Sequence, residues 1–202
     1  MKGFTPRFAA PLDAPRPRGA RLLEAFSPKL DRRVRLFDHA CFEQWIRLEA
    51  DPSVQWLCER PARLGVARDA RLIDFWVQRC EGEQLLLVDR AAEPAPETVG
   101  GLPVHRVATA ELAAAAMWVA NWQRMLPVVN ATRSLVPKGL AHSVLRFVRA
   151  PSALSLIEHQ FSMGDPPLVR GVIFELLRTG QLQAPSLHNQ PLSLHTLLEP
   201  AA

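Results

Sequence analysis

The sequence predicts an α/β protein: a mixed sheet flanked by helices, followed by a small helical domain. Three observations carry this. Between residues 70 and 90 two apolar runs, "ARLIDFWVQ" and "EQLLLVD", flank the charged turn "RCEGE" with Gly82, the pattern of paired strands. Segments of helical period lie on either side, "DHACFEQWIRLEA" before and "ELAAAAMWVANWQRMLPVV" after. Beyond Arg133 the pattern changes to three helix-like segments in succession.

Composition sets the limits. The chain has 202 residues, enough for one large domain or two small ones, and is 48% hydrophobic, enough for real cores. Eighteen prolines against ten glycines suit stiff connections better than floppy ones. The N-terminus carries Lys2, Arg7 and several prolines where a signal peptide would have an apolar stretch. The longest apolar stretch, Leu112 to Ala120, is too short to span a bilayer. A cytoplasmic protein without membrane contact is expected. Cys41, Cys58 and Cys80 lie far apart with no CxxC pair, so buried thiols are expected rather than a zinc site or a disulfide framework. His39-Ala40-Cys41 has metal-ligand chemistry, but a buried thiol is the better reading of it.

The net charge of +4 is unevenly spread. Residues 1–36 hold nine Lys/Arg against three acids, residues 37–133 ten against thirteen, and the remainder five against four. Arginine outnumbers lysine 21 to 3, which suits bidentate phosphate contacts. A basic, proline-rich arm over residues 1–36 is expected to contact nucleic acid or to stay disordered without it.

The elements follow in order. Phe42, Trp45, Ile46 and Leu48 give a helix capped by Asp38 and stopped at Asp51-Pro52. A strand follows near Val54–Leu57, ended by Pro61, and then the two strands around "RCEGE". "AAEPAPETVGG" reads as a loop, "LPVHRVATA" as a strand, and residues 111–129 as one long helix. The three later helices are "KGLAHSVLRFVRA", "SALSLIEHQF" with Ser152 as N-cap, and "LVRGVIFELLRTG" with Asp165 as cap, prolines in its first turn and Gly180 past its end. Two short extended pieces around His188-Asn189-Gln190 complete the order of a winged helix.

Chemistry concentrates in three acids. Glu43 lies on the first helix, Asp74 interrupts an apolar run, and Asp89-Arg90 ends the next run fifteen to sixteen residues later. Carboxylates from a helix and a strand can hold one divalent ion, which polarises a scissile phosphate and activates water. A neighbouring lysine then offsets developing charge. The bland alternative is that acids at strand ends are solvated caps. The tryptophans Trp45, Trp56, Trp76, Trp118 and Trp122 sit at apolar positions and read as core. His142, His159, His188 and His195 have no ligand spacing, and no Lys or Arg follows Arg178, so strong groove reading by a wing is not expected.

Together these phrases resemble the TnsA-type endonuclease subunit of heteromeric bacterial transposases. "FSPKLDRRVRLFDHACFEQWIRLEADPSVQWLCERP" is similar to that family's opening, "LIDFWVQ" to its Pro-Asp-Phe strand with Ile73 in place of proline, and "LLLVDR" to its Glu/Gln-Val-Lys strand. "LPVHRVATAEL" resembles the strand that enters the closing helix, and the resemblance covers nearly the whole chain. It implies a restriction-endonuclease-like mixed sheet over residues 37–130 and a winged-helix domain over residues 131–202, behind the arm of residues 1–36. It implies catalytic roles for Glu43, Asp74, Asp89 and Arg90, with Glu43, Asp74 and Asp89 as ligands of Mg2+, for which Mn2+ could substitute. Glu43 and Asp74 are expected to face one another at the sheet edge. Lys29, Arg32, Arg33 and Arg35 would contact DNA. The implied partners are transposon-end DNA, a transposase subunit and a regulatory ATPase. Val88 stands where the family has Glu/Gln and Arg90 where it has lysine; a one-residue slip makes Asp89 the second strand acid and puts Ala91 at the lysine. The last motif is degenerate in either register. Three functions follow: a magnesium-dependent endonuclease subunit, a catalytically decayed scaffold that binds DNA and protein, and a winged-helix regulator with an unrelated α/β ligand domain.

Overall fold

Part of the expected arm folds as a hairpin. In the computed structural model, which describes residues 5–67, 69–89, 96–137, 139–161 and 165–201, β1 (Leu23–Ser27) and β2 (Arg32–Leu36) pair antiparallel, Leu23 against Leu36 and Ser27 against Arg32. Alternation explains it: in "RRVRL" Val34 and Leu36 are buried while Arg33 and Arg35 stay exposed. Ser27 Oγ accepts the Leu30 N–H at 3.2 Å in the turn, and Lys29 Nζ donates to the Val54 carbonyl at 2.6 Å. Residues upstream are also tied down. Phe8 lies edge-on to Trp76 with centroids 5.6 Å apart, and Arg7 Nε lies 3.1 Å from a Glu83 oxygen. The Leu12 N–H donates to the Arg60 carbonyl at 2.9 Å.

The chain divides into two units, residues 1–48 with 53–113, and residues 49–52 with 114–202. The boundary therefore falls at 113/114 rather than the expected 130/131.

The first unit is mixed α/β. Asp38 Oδ1 accepts the Cys41 N–H at 2.7 Å and so caps α1 (His39–Ala50), whose buried stripe includes Cys41, Trp45 and Leu48. The sheet strands are β3 (Val54–Glu59), β4 (Phe75–Arg79), β5 (Gly82–Val88), β6 (Thr98–Val99) and β7 (Leu102–Val107), in the order β3-β4-β5-β7-β6. β3, β4 and β5 form an antiparallel meander, and β5 and β7 run parallel. One face carries the cluster of Cys58, Ile73, Trp76, Leu85, Leu87 and Leu102. Phe75, Val77, Leu86 and Val88, at the alternating positions, are buried as well. The centre of the sheet is thus covered on both sides, which is why these strands read as continuous apolar runs. α2 (Thr109–Ala114) closes the unit.

The single long helix expected after β7 is broken at Ala115, and α3 (Ala116–Thr132) begins the second unit. α4 (Leu140–Phe147), β8 (Ser152–Ala153), α5 (Leu154–Phe161), α6 (Pro166–Arg178), β9 (Leu182–Gln183), a 3-10 turn at Pro185–His188 and β10 (Leu197–Pro200) follow. β10 lies between β8 and β9 and is antiparallel to both. Ser152 does not cap α5: it lies in β8, and its Oγ donates to the Ala150 carbonyl at 2.9 Å. Asp165 precedes α6 without a side-chain capping bond, prolines fill the first turn, and Gly180 past its end takes φ +70°. Buried Asn121 on α3 fixes the segment between β9 and β10. Its Nδ2 donates to the Leu187 and Gln190 carbonyls at 2.8 Å each, and its Oδ1 accepts the Leu192 N–H at 2.7 Å.

α6 is mostly buried from Val169 to Arg178, while Pro166, Pro167 and the side chains of Arg170 and Glu175 reach the surface. α3 packs against it so closely that a Cβ placed on Gly171 would lie 2.0 Å from Thr132 Oγ1. No helix among the described residues is long and apolar enough to cross a membrane.

Candidate functional site

Asp74 precedes β4 by one residue, and the β4–β5 register brings it beside Val88. Its carboxylate is only 7% exposed. Oδ2 accepts the Val88 N–H at 2.9 Å, and Arg71 Nη2 lies 3.7 Å from the same oxygen while donating to the Val88 carbonyl at 2.9 Å. Oδ1 accepts the Cys41 thiol at 3.3 Å. The Asp74 backbone bridges its neighbours, with its N–H on the Leu86 carbonyl and its carbonyl on the Arg60 N–H. An acid in an apolar run is thereby accounted for: it ties the start of β4 to the end of β5 and to α1.

The helix residue presented to Asp74 is Cys41, not Glu43. Two residues advance an α-helix by about 200°, which turns Glu43 to the other side of α1. Glu43 is partly exposed there, with Oε1 3.2 Å from His39 Nδ1. The expected meeting of Glu43 and Asp74 is replaced by a thiol meeting a carboxylate. Asp89 follows β5; its N–H donates to the Val107 carbonyl at 2.9 Å and its Oδ1 accepts Arg106 Nη2 at 2.8 Å. Arg90 lies outside the described residues.

Magnesium and manganese require several hard oxygen donors converging on one point. Here Val88 and Cys41 stand beside Asp74 where second and third carboxylates would be needed, and both Asp74 oxygens already accept protein hydrogens. Among the described residues no group of three or more His, Cys, Asp or Glu is placed to hold a metal, the His39–Cys41 fragment included. Among the described residues, Glu43, Asp74 and Asp89 do not come together as a three-carboxylate ion site.

The basic residues expected to meet DNA divide. Arg32 makes a two-pronged contact with Glu59 at 2.8 and 2.7 Å, Arg35 Nε pairs with Glu24 at 2.8 Å, and Lys29 is committed to the Val54 carbonyl. Arg33 is exposed. The neighbourhood of Glu59 was not singled out by sequence, yet it is chemically unusual. Glu59 is 1% exposed. The Cys58 thiol is pushed up to about 12 by burial first and by the Glu59 carboxylate second, which leaves it a neutral, inert core group. Arg60 has φ +50°, its Nη1 donates to the Arg35 carbonyl, and its guanidinium carbon lies 4.8 Å over the Phe37 ring.

In the second unit the basic side chains of α6 are paired. Arg170 grips Glu158 at 2.5 and 2.9 Å, and Arg178 grips Glu175 at 2.7 and 2.6 Å with Glu49 at 3.5 Å. Trp45, Trp76 and Trp122 are core, Trp56 packs on the sheet cluster, and Trp118 stacks on His188 with centroids 4.2 Å apart.

No protein-family model matches this chain, and no curated protein matches it at a significant level.

Proposed function

We propose that the chain is a TnsA-like subunit of a DNA transposition machinery that has lost strand cleavage and keeps a scaffolding role between transposon-end DNA and a partner transposase. The observation that carries the non-cleaving half is the environment of Asp74. It is one buried carboxylate faced by a thiol and a valine, with its oxygens bonded to Cys41 and Val88. Restriction-endonuclease-like catalysis needs carboxylates converging on a metal, and among the described residues no group of three or more such ligands converges at Asp74. The resemblance of the phrases around Asp74, and its place at the joint of the β4–β5 pair, support reading the first unit as a restriction-endonuclease-like scaffold.

The order α4-β8-α5-α6-β9-β10, with β10 central in the small sheet, supports a winged-helix reading of the second unit. The helix that would enter a DNA groove in that reading is α6, which is buried over most of Val169–Arg178 and has both its arginines paired to acids. Protein docking suits this unit better than groove reading. The alternative of a ligand-binding regulator expects an apolar pocket. The concavity beside Glu59 and Arg60 is of mixed lining, with five arginines among Pro11, Leu12, Ala14, Leu22 and Phe37, rather than predominantly apolar.

The test is strand cleavage of transposon-end DNA by the chain, alone and with its transposase, in magnesium or manganese. The expected result is no cut on the strand complementary to the one the transposase cuts. A cut there that Asp74→Asn abolishes would overturn the proposal.

A further inference from the structure

The first unit holds a concavity of about 410 Å³ lined by β2, the start of the loop after β3, and the segment around Pro11 to Arg16. Arg16, Arg32, Arg33, Arg35 and Arg60 stand on its wall with two carboxylates, Asp13 and Glu59. Glu59 is engaged by Arg32, and Arg35 is paired with Glu24 outside the wall. Arg16 and Arg33 are exposed, and neither has a side-chain partner among the described residues.

Arg60 is the most telling of the five. Its Nε is buried and has no hydrogen-bond acceptor among the described residues. Native proteins rarely leave a buried donor of this kind unmet, so the Arg60 cation is only partly satisfied by the protein. Its backbone lies in the left-handed region, which non-glycine residues rarely adopt. Two backbone hydrogen bonds hold it there, the Leu12 N–H on its carbonyl and its own N–H on the Asp74 carbonyl. Phe37 beneath the guanidinium and the Arg35 carbonyl on Nη1 fix the side chain. Burial also pulls the Arg60 pKa below the ordinary arginine value, as expected for a cation lacking a full complement of acceptors. The site is therefore preorganised, positive and short of acceptors.

We propose that this concavity is a phosphate site, in which Arg16, Arg33 and Arg60 take the phosphate of a nucleic-acid strand or of a free phosphate compound. Guanidinium forks match tetrahedral phosphate oxygens in pairs, and an excess of two cations, once Asp13, Glu59 and the Glu24 partner of Arg35 are counted, suits a multiply charged anion better than a single carboxylate. The assignment rests on these side chains and not on the transposition reading.

Two probes and two double variants test it. The probes are a short fluorescent DNA duplex of random sequence, followed by anisotropy across a salt series, and inorganic pyrophosphate, followed by thermal shift. The site variant is Arg16→Gln with Arg33→Gln. The control is Arg18→Gln with Arg21→Gln, two exposed arginines off the wall. The site variant is expected to weaken the binding probe at least about tenfold; on DNA it should also lower the slope of log affinity against log salt by about two. The control should lose less than about threefold. Loss on the duplex assigns the site to a nucleic-acid strand. Loss on pyrophosphate with the duplex unaffected assigns it to a free phosphate compound. Equal losses in the two double variants, or a wild-type protein that binds neither probe, would overturn the proposal.

Discussion

Gly171→Ala is expected to destabilise the C-terminal unit by at least about 2 kcal/mol. The new methyl would lie 2.0 Å from Thr132 Oγ1, 2.8 Å from its Cβ and 3.1 Å from its Cγ2. Thr132 cannot swing aside cheaply. It is β-branched in a helix, and its Oγ1 donates to the Val128 carbonyl at 2.8 Å. Overpacking of this kind costs about 1–3 kcal/mol and sometimes more, while replacing a mid-helix glycine by alanine returns about 1 kcal/mol at most. The clash is large enough for the loss to win. Thermal denaturation checks it, with Gly171→Ala/Thr132→Ala as the companion. That pair removes Oγ1 and Cγ2 but leaves the Cβ at 2.8 Å, so it should recover part of the loss. An unchanged midpoint for Gly171→Ala would contradict the close α3–α6 packing.

Asp74→Ala is expected to cost about 3 kcal/mol, and the sign separates two accounts of the residue. As a tie between elements, Asp74 accepts a buried backbone N–H from Val88, and losing a charged acceptor for a buried donor costs about 1–3 kcal/mol. The Cys41 thiol and Arg71 lose a partner at the same time. Asp74→Asn keeps the shape and one acceptor oxygen and should lose roughly half as much. An acid belonging to a cluster of metal ligands behaves in the opposite sense. Without metal its neighbours repel it, and its removal relieves that repulsion. Denaturant titrations of the two variants without divalent ions decide between these signs.

Much of the fold was legible because buried stripes are periodic. Trp45, Ile46 and Leu48 marked α1, the runs through Phe75–Val77 and Leu85–Val88 marked β4 and β5, and the proline start and Gly180 stop marked α6. The hairpin over residues 23–36 was hidden by its charge. Arginines at 32, 33 and 35 drew attention to phosphate binding, although Val34 and Leu36 alternate with them as an edge strand does. At the site, Asp74 was visible as an acid that an apolar strand would not otherwise contain. Its helix neighbour was missed because Glu43 carries the charge. The stripe of Cys41, Trp45 and Leu48 places Cys41 on the inward face of α1, and the same period turns Glu43 away. Glu59 and Arg60 were missed for a different reason: a left-handed arginine and its unmet Nε depend on the close of β3 against β4, which no local pattern encodes.

The central claim is that Asp74 is a structural tie and not a metal ligand. The most direct measurement is the thermal midpoint of the wild-type chain and of Asp74→Asn across a magnesium chloride titration at constant ionic strength. A ligand present at a hundredfold its dissociation constant adds about 2.7 kcal/mol to stability, which for a chain of this length moves the midpoint by several degrees. The account predicts that magnesium leaves the wild-type midpoint where it is, and that Asp74→Asn melts lower by the same margin with and without the ion. A magnesium-dependent rise of several degrees in the wild type that disappears in Asp74→Asn would contradict it.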